Sequence, residues 1–239
     1  MKVTILTLFA IYLSLLGVET KEIRHHQLEK RGEDGSELYY LQNQNIPYTG
    51  KAIERSSNGQ INLEAVYEEG KRVSWNQWYE NQQKSVSASL KDGKRDGLRT
   101  LWYENGQKHI EEIFKGGVQD GLRTVWHESG QKHIEENYKG GVLDGLRTVW
   151  YESGQKHIEA NYKGGYRDGF RIRWYKNGHK ALEYDYKVGL LMSSEVWKPN
   201  GEKCLNTTLK DGNGVLVIYK HDGAEKIRTT FMDGIEVKP

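Results

Sequence analysis

Three histidines, His109, His133 and His157, stand in the same context, QKHIE, each 24 residues after the last and each two places before a glutamate (Glu111, Glu135, Glu159). Imidazole beside carboxylate at a fixed interval is the donor set of a metal site or of an acid–base pair. Adjacent acids such as Glu111-Glu112 and Glu135-Glu136 raise the two-carboxylate chemistry of glycoside hydrolysis. A file of indoles, Trp102, Trp126, Trp150 and Trp174, keeps the same beat. Large flat rings with one polar atom can stack on a sugar, a peptide or a lipid headgroup.

The elements that must hold these groups are written into the repeat itself. The seventeen residues DGLRTLWYENGQKHIEE begin at Asp96 and return with few changes at Asp120 and Asp144. Turn dipeptides at Asn58, Asn81, Asn105, Ser129, Ser153, Asn177, Asn200 and Asp222 are spaced by 22–24 residues, so about eight units follow one another from Leu38 onward. Such a period is the mark of an array whose units bury surface only against their neighbours. Within a unit, residues 98–103 are apolar, aromatic and β-branched, hence strand-like. Asn105-Gly106 supplies a tight turn, and residues 108–114 return. Lys115-Gly116-Gly117 and Asp120-Gly121 then turn the chain into the next unit. The expected fold is all-β, an elongated repetitive antiparallel β-meander of hairpin units.

That geometry decides most of the chemistry. A two-residue loop at Asn105-Gly106 sets Tyr103 against Lys108, Leu101 against Ile110 and Arg99 against Glu112, with Trp102 opposite His109 and Thr100 opposite Glu111 on the other face. Equivalent histidines are then two strands apart, roughly 10 Å, whereas a zinc ion takes all its ligands at about 2.0–2.3 Å. Adjacent strand residues point to opposite faces, so the Glu-Glu pairs cannot flank one bond. The aspartates at 96, 120, 144 and 168 each precede a glycine and read as turn residues. His127 stands where the neighbouring units have Tyr103 and Tyr151, and reads as a drifted aromatic. Nucleophile elbow, phosphate loop and paired C-x-x-C are all absent from the sequence. The expectation is no catalytic residue, no metal and no cofactor. The candidate binding residues are Trp102, Trp126, Trp150 and Trp174 with His109, His133 and His157. A second aromatic file, Phe114, Tyr138, Tyr162 and Tyr186, runs beside them, and either file can serve as the cover of a thin core.

Composition agrees. A net charge of +2 from 35 basic and 33 acidic residues gives no reason to expect a nucleic-acid partner. Hydrophobic residues are 36% of the chain while aromatics reach 11%, and there are 27 glycines, which fits a thin, turn-rich β structure. Cys204 is the single cysteine, so no intrachain disulfide forms. The apolar run at residues 3–18 is short for a membrane span of ~20 residues and suits a signal peptide. Residues 1–20 are therefore read as a signal peptide or N-terminal anchor, 21–37 as a charged linker and 38–239 as the repeat array. The protein is expected to be exported (periplasm, envelope or secreted) or N-terminally anchored.

The units WYENGQKHIEEIFKGGVQDG and WYESGQKHIEANYKGGYRDG resemble MORN-type repeats, specifically the bacterial MORN-variant family, whose loose pattern is an aromatic pair, then Asn-Gly, then an aromatic and Gly-Lys-x-x-Gly before the next unit. The resemblance runs from Leu38 to Gly234. It departs at Gln82, where the turn glycine is missing, and around 190–194 and 213–214, where the units shorten and read as distorted caps. It implies a hairpin-built array that binds rather than catalyses, and bacterial members are often labelled antitoxin components of toxin–antitoxin systems. A cytosolic antitoxin has no use for an export signal, so the two readings conflict. The uniform array points to a protein-binding scaffold, with another protein as partner. A binder of surface glycan or membrane lipid headgroup is the alternative, and an enzyme with a site at an irregular end comes third. The sequence does not indicate an oligomeric state.

Overall fold

The computed structural model describes residues 22–33, 37–220 and 222–237; the segment read as signal peptide or anchor lies outside them. Among the described residues nineteen strands succeed one another: β1 (Ile23–Arg24), β2 (Leu28–Arg31), β3 (Leu38–Leu41), β4 (Gly50–Arg55), β5 (Ile61–Glu68), β6 (Lys71–Trp78), β7 (Lys84–Lys91), β8 (Lys94–Trp102), β9 (Lys108–Lys115), β10 (Val118–Trp126), β11 (Lys132–Lys139), β12 (Val142–Trp150), β13 (Lys156–Lys163), β14 (Tyr166–Trp174), β15 (Lys180–Lys187), β16 (Leu190–Val196), β17 (Gly214–Tyr219), β18 (Glu225–Met232) and β19 (Ile235–Val237). Strands β4 to β16 follow one another in a single meander, and β1 joins it beside β4 to make fourteen strands. The β1–β4 pairing is parallel. Among the described residues the helical content is one short 3-10 turn at His25–Gln27.

Two kinds of turn drive the meander. The tighter is Lys-Gly-Gly. Gly116 and Gly117 have φ of 57° and 95°, and Lys115 pairs with Val118 across them. Positive φ at both central residues defines the type I′ hairpin, whose twist matches that of the strands. The same backbone recurs with a non-glycine first residue at Glu69, Asp92, Val188, Asp211 and Asp233, all at φ 48–52°.

The Asn-Gly and Ser-Gly turn is one residue longer than expected. Gly130 N–H donates to the His127 carbonyl at 2.8 Å, and His127 N–H to the Gln131 carbonyl at 2.8 Å. Only Gly130, at φ 84°, lies in the left-handed region, which is the three-residue loop with a terminal glycine. A bulge comes next, since Trp126 pairs with Lys132 while Val125 pairs with Ile134. The longer loop and the bulge cancel. Val125↔Ile134, Thr124↔Glu135 and Arg123↔Glu136 are therefore the pairs that a two-residue loop would give, but tryptophan does not oppose histidine.

The Asp-Gly dipeptides are likewise not turns. Asp120-Gly121 lies inside β10, where the pairing with β9 shifts between Gln119 and Arg123. Gly121 takes φ 128° there, so the glycine serves a bulge. The freed carboxylates reach the next unit: Asp120 Oδ2 accepts from Gly140 N–H at 3.3 Å and Asp144 Oδ2 from Gly164 N–H at 3.0 Å. Each tethers the following Gly-Gly turn.

The described residues divide into two compact units, one of those up to 97 with 104–106 and one of 98–103 with those from 107 onward. In the first, Ile23, Tyr48, Ala52, Ala65 and Tyr67 form the core, with Leu28, Tyr39, Leu41, Leu63 and Trp75 packed on it. The described part of the segment expected to be a linker, residues 22–33 and 37, belongs here. Ile23 is 6% exposed, the His25 ring lies 3.0 Å from the Tyr67 hydroxyl, and Leu28–Arg31 pairs with Leu38–Leu41. Two apolar side chains spaced among the charges are enough to anchor it. In the second unit the core is Leu182, Tyr184, Leu191, Val196, Cys204, Leu209, Leu216, Val217 and Tyr219. The meander stops at β16, inside the expected seventh hairpin, while the eighth, around Asp222-Gly223, forms between β17 and β18. Asn200-Gly201 keeps its turn, yet the chain on either side of it makes an isolated bridge at Trp197↔Lys203 rather than a pair of strands, and β17–β19 make a sheet of their own. Leu209, Leu216 and Val217 are instead buried against Leu191 and Val196. Cys204 is buried with its Sγ 2.9 Å from the Tyr219 hydroxyl, outside any strand.

Candidate functional site

The two faces of the second unit's sheet carry different chemistry. On one, alternation along β8–β12 places Arg99, Glu112, Arg123, Glu136 and Arg147 side by side. Glu112 is paired with Arg99, lies 3.6 Å from Arg123 and accepts from Gln119 Nε2 at 2.6 Å. Glu136 is held by Arg123 at 2.6 Å, Arg147 at 2.9 Å and the Tyr138 hydroxyl at 3.0 Å. Both glutamates are buried, at 6% and 4% exposed. Satisfying each carboxylate from both sides is what makes its burial tolerable.

The ladder breaks one unit later. The residue in register with Glu112 and Glu136 is Ala160, paired with Arg147 on one side and Arg171 on the other. Three arginines of β14 share its face, Arg171 opposite Ala160, Arg167 opposite Tyr162 and Arg173 opposite Ile158, and none has a carboxylate partner among the described residues. Arg167 donates to the Tyr186 hydroxyl at 3.3 Å, Arg171 lies over the Tyr184 ring at 5.6 Å, and Arg173 is two residues further along the same face. Burial, reinforced by the neighbouring Arg167, holds the Arg171 guanidinium below its usual range, as a cation lacking a counter-charge should be.

The opposite face carries the tryptophans. Lys108 Nζ lies 5.6 Å from the centre of the Trp126 ring and Lys132 Nζ 5.7 Å from that of Trp150, distances of cation–π contacts. The same lysines pair with Glu111 and Glu135. Each indole of this pair is therefore half-buried under a lysine from the preceding unit. Trp102 and Trp174 are half-buried too. Buried Thr100, Thr124 and Thr148 sit beside them, and Leu98, Leu122 and Leu146 continue the face as an exposed apolar file.

The histidines are stacked instead on the turn aromatics. Tyr103–His109, His127–His133 and Tyr151–His157 each have ring centres 4.2 Å apart. The bulge beside the turn brings this about by moving the histidine out of register with tryptophan. Burial lowers the pKa of all three, with Arg123 assisting at His109, His127 and Arg147 at His133, and Arg173 and Arg171 at His157. No cluster of three or more metal-ligating side chains occurs among the described residues. The tyrosines also tie each unit to the next, since the Tyr103, Tyr151 and Tyr175 hydroxyls donate to the backbone carbonyls of Trp126, Trp174 and Trp197 at 2.8–3.0 Å. His127 cannot reach as far, and its Nε2 is buried without a partner among the described residues.

Sequence reasoning singled out the tryptophans and histidines but passed over the arginines of β14. The signal was there as KHIEA in the third copy against KHIEE in the first two.

The model of the MORN repeat variant family matches residues 95–115, 119–139 and 143–163, which are three consecutive units. MORN repeats generally mediate binding to membranes or proteins. No curated protein matches the chain.

Proposed function

We propose that this array of MORN-variant repeats is a non-catalytic scaffold that binds another protein, and that the sheet face bearing Leu98, Leu122 and Leu146 is where the partner docks. The observation that carries the reading is that apolar file. The three leucines are 49%, 40% and 38% exposed at equivalent positions of successive units, beside the lysine-covered tryptophans. Apolar side chains left in water in a row, rimmed by Lys–Glu pairs, have the make-up of a protein interface. The antitoxin role implied by the resemblance is one case of this reading, in which the partner is a toxin. A glycan or headgroup stacked on the indoles is less well supported, because Lys108 and Lys132 already overlie Trp126 and Trp150.

The test is affinity capture from the native source with the wild-type chain and with a Leu122→Lys/Leu146→Lys variant, both first shown to be folded by circular dichroism. A partner retained by the wild type and lost by the variant is the expected outcome. An identical set of proteins on both, or none on either, would sink the reading.

A further inference from the structure

The break in the arginine–glutamate ladder has a shape. In two successive units a carboxylate sits between two guanidiniums from flanking strands: Glu112 between Arg99 and Arg123, and Glu136 between Arg123 and Arg147. In the third unit the flanking arginines persist as Arg147 and Arg171, and the register is unchanged through Arg147↔Ala160↔Arg171. Only the carboxylate is gone. Ala160, 1% exposed, is shorter than glutamate by a methylene and the carboxylate, so the ladder lacks its acid while the flanking arginines remain, Arg147 on Glu136 and Arg171 over the Tyr184 ring. Charge accumulates rather than balances there, because Arg167, Arg171 and Arg173 share this face while none of them has a carboxylate partner among the described residues. The acids of the adjoining strand are directed elsewhere: Glu183 opposes Ile172 and Asp185 opposes Phe170, both on the other face.

We propose that Ala160, Arg147, Arg171 and Arg173 form a recognition site for a carboxylate brought by another chain, a glutamate or aspartate side chain of an acidic peptide segment that takes the place Glu136 holds one unit earlier. Guanidinium forks bind carboxylates in defined geometry and with charge-assisted strength. The aromatic walls Tyr162, Tyr184 and Tyr186 give the site hydroxyls and ring faces without adding negative charge. The site lies on the face opposite the leucine file. It extends the protein-binding reading by naming the chemistry of a second contact, and stands or falls separately from it.

The experiment titrates a fluorescein-labelled peptide of alternating Glu and Gly with the full chain, follows anisotropy at low salt, and uses the Gln-Gly peptide as control. The wild type should bind the Glu peptide and not the Gln peptide. Ala160→Glu supplies the carboxylate internally and Arg171→Gln removes one jaw, and each should weaken binding at least about tenfold, the scale of a lost charge-assisted hydrogen bond. Arg171 is half-exposed, so its variant keeps the test available should Ala160→Glu fail to fold. Equal binding of the two peptides, or undiminished binding by a folded Ala160→Glu or Arg171→Gln chain, overturns the proposal. So does binding of phosphatidylglycerol vesicles with none of the peptide, which would assign the arginines to phosphate. A partner captured through the leucine file but indifferent to Ala160→Glu would leave the scaffold standing and remove this site alone.

Discussion

The turn tyrosine does two jobs, stacking under a histidine and donating to the next unit's tryptophan carbonyl, and one unit replaces it with a residue that does only the first. His127 keeps the 4.2 Å stack with His133 but leaves its Nε2 buried and unpartnered. His127→Tyr should restore the hydroxyl donor to the Trp150 carbonyl and raise stability by about 1 kcal/mol, the usual net worth of a hydrogen bond. Thermal or urea unfolding reads it, and an unchanged midpoint would show that the carbonyl already has an adequate partner in solvent. At this scale the sequence was partly legible. The substitution of an aromatic by His127 was visible from register alone, as were the Arg99–Glu112 and Arg123–Glu136 pairs. The burial of those glutamates was not visible. Alternation gives each side chain a face but says nothing of how deeply long arginines on both flanks will cover it.

Among the elements, the turns were legible in place but exchanged in kind. Asn-Gly is a strong type I′ signal, yet in this chain the type I′ geometry belongs to Lys-Gly-Gly, and the Asn-Gly or Ser-Gly site is a three-residue loop offset by a bulge. Two displacements of one residue in opposite senses leave the distant pairs where a simple count puts them. Register counted outward therefore survived at Val125↔Ile134 and failed at Trp126↔Lys132. The type I′ turns also differ in how well their residues suit them. Val188 holds φ 48° at a position filled by glycine in the central units. A β-branched side chain is a poor occupant of the left-handed region. Val188→Gly should stabilise the second unit by about 1 kcal/mol, a left-handed penalty of ~1–2 kcal/mol less the entropy glycine loses on folding. Equilibrium unfolding tests this, and a lower midpoint for the variant would mean that the valine, 62% exposed, makes a contact that outweighs its backbone.

For the whole molecule, the period of 24 residues is a structural as well as a textual unit, since it adds two strands and returns every side chain to its face. Deleting residues 121–144 joins Asp120 to Gly145, recreating an Asp-Gly bulge, and should give a folded protein with a β-type circular dichroism spectrum and a single unfolding transition. Deleting residues 121–132 removes one strand, reverses the direction of every later one, and should not fold. Equal behaviour of the two would show that neighbouring units do not complete one another. The array was the most legible part of the chain because repetition reports it many times over. The termini of the array were the least, because Ile23 and Leu28 before it and Leu209, Leu216 and Val217 after it act through single apolar contacts that no periodicity announces. The charge ladder, finally, obeys the arithmetic of a fence. With an arginine at both ends, posts outnumber rails by one however long it runs, and three arginines hold two glutamates here. Every inserted copy adds one of each, so the array can grow or shrink in whole steps while its surplus of positive charge stays fixed.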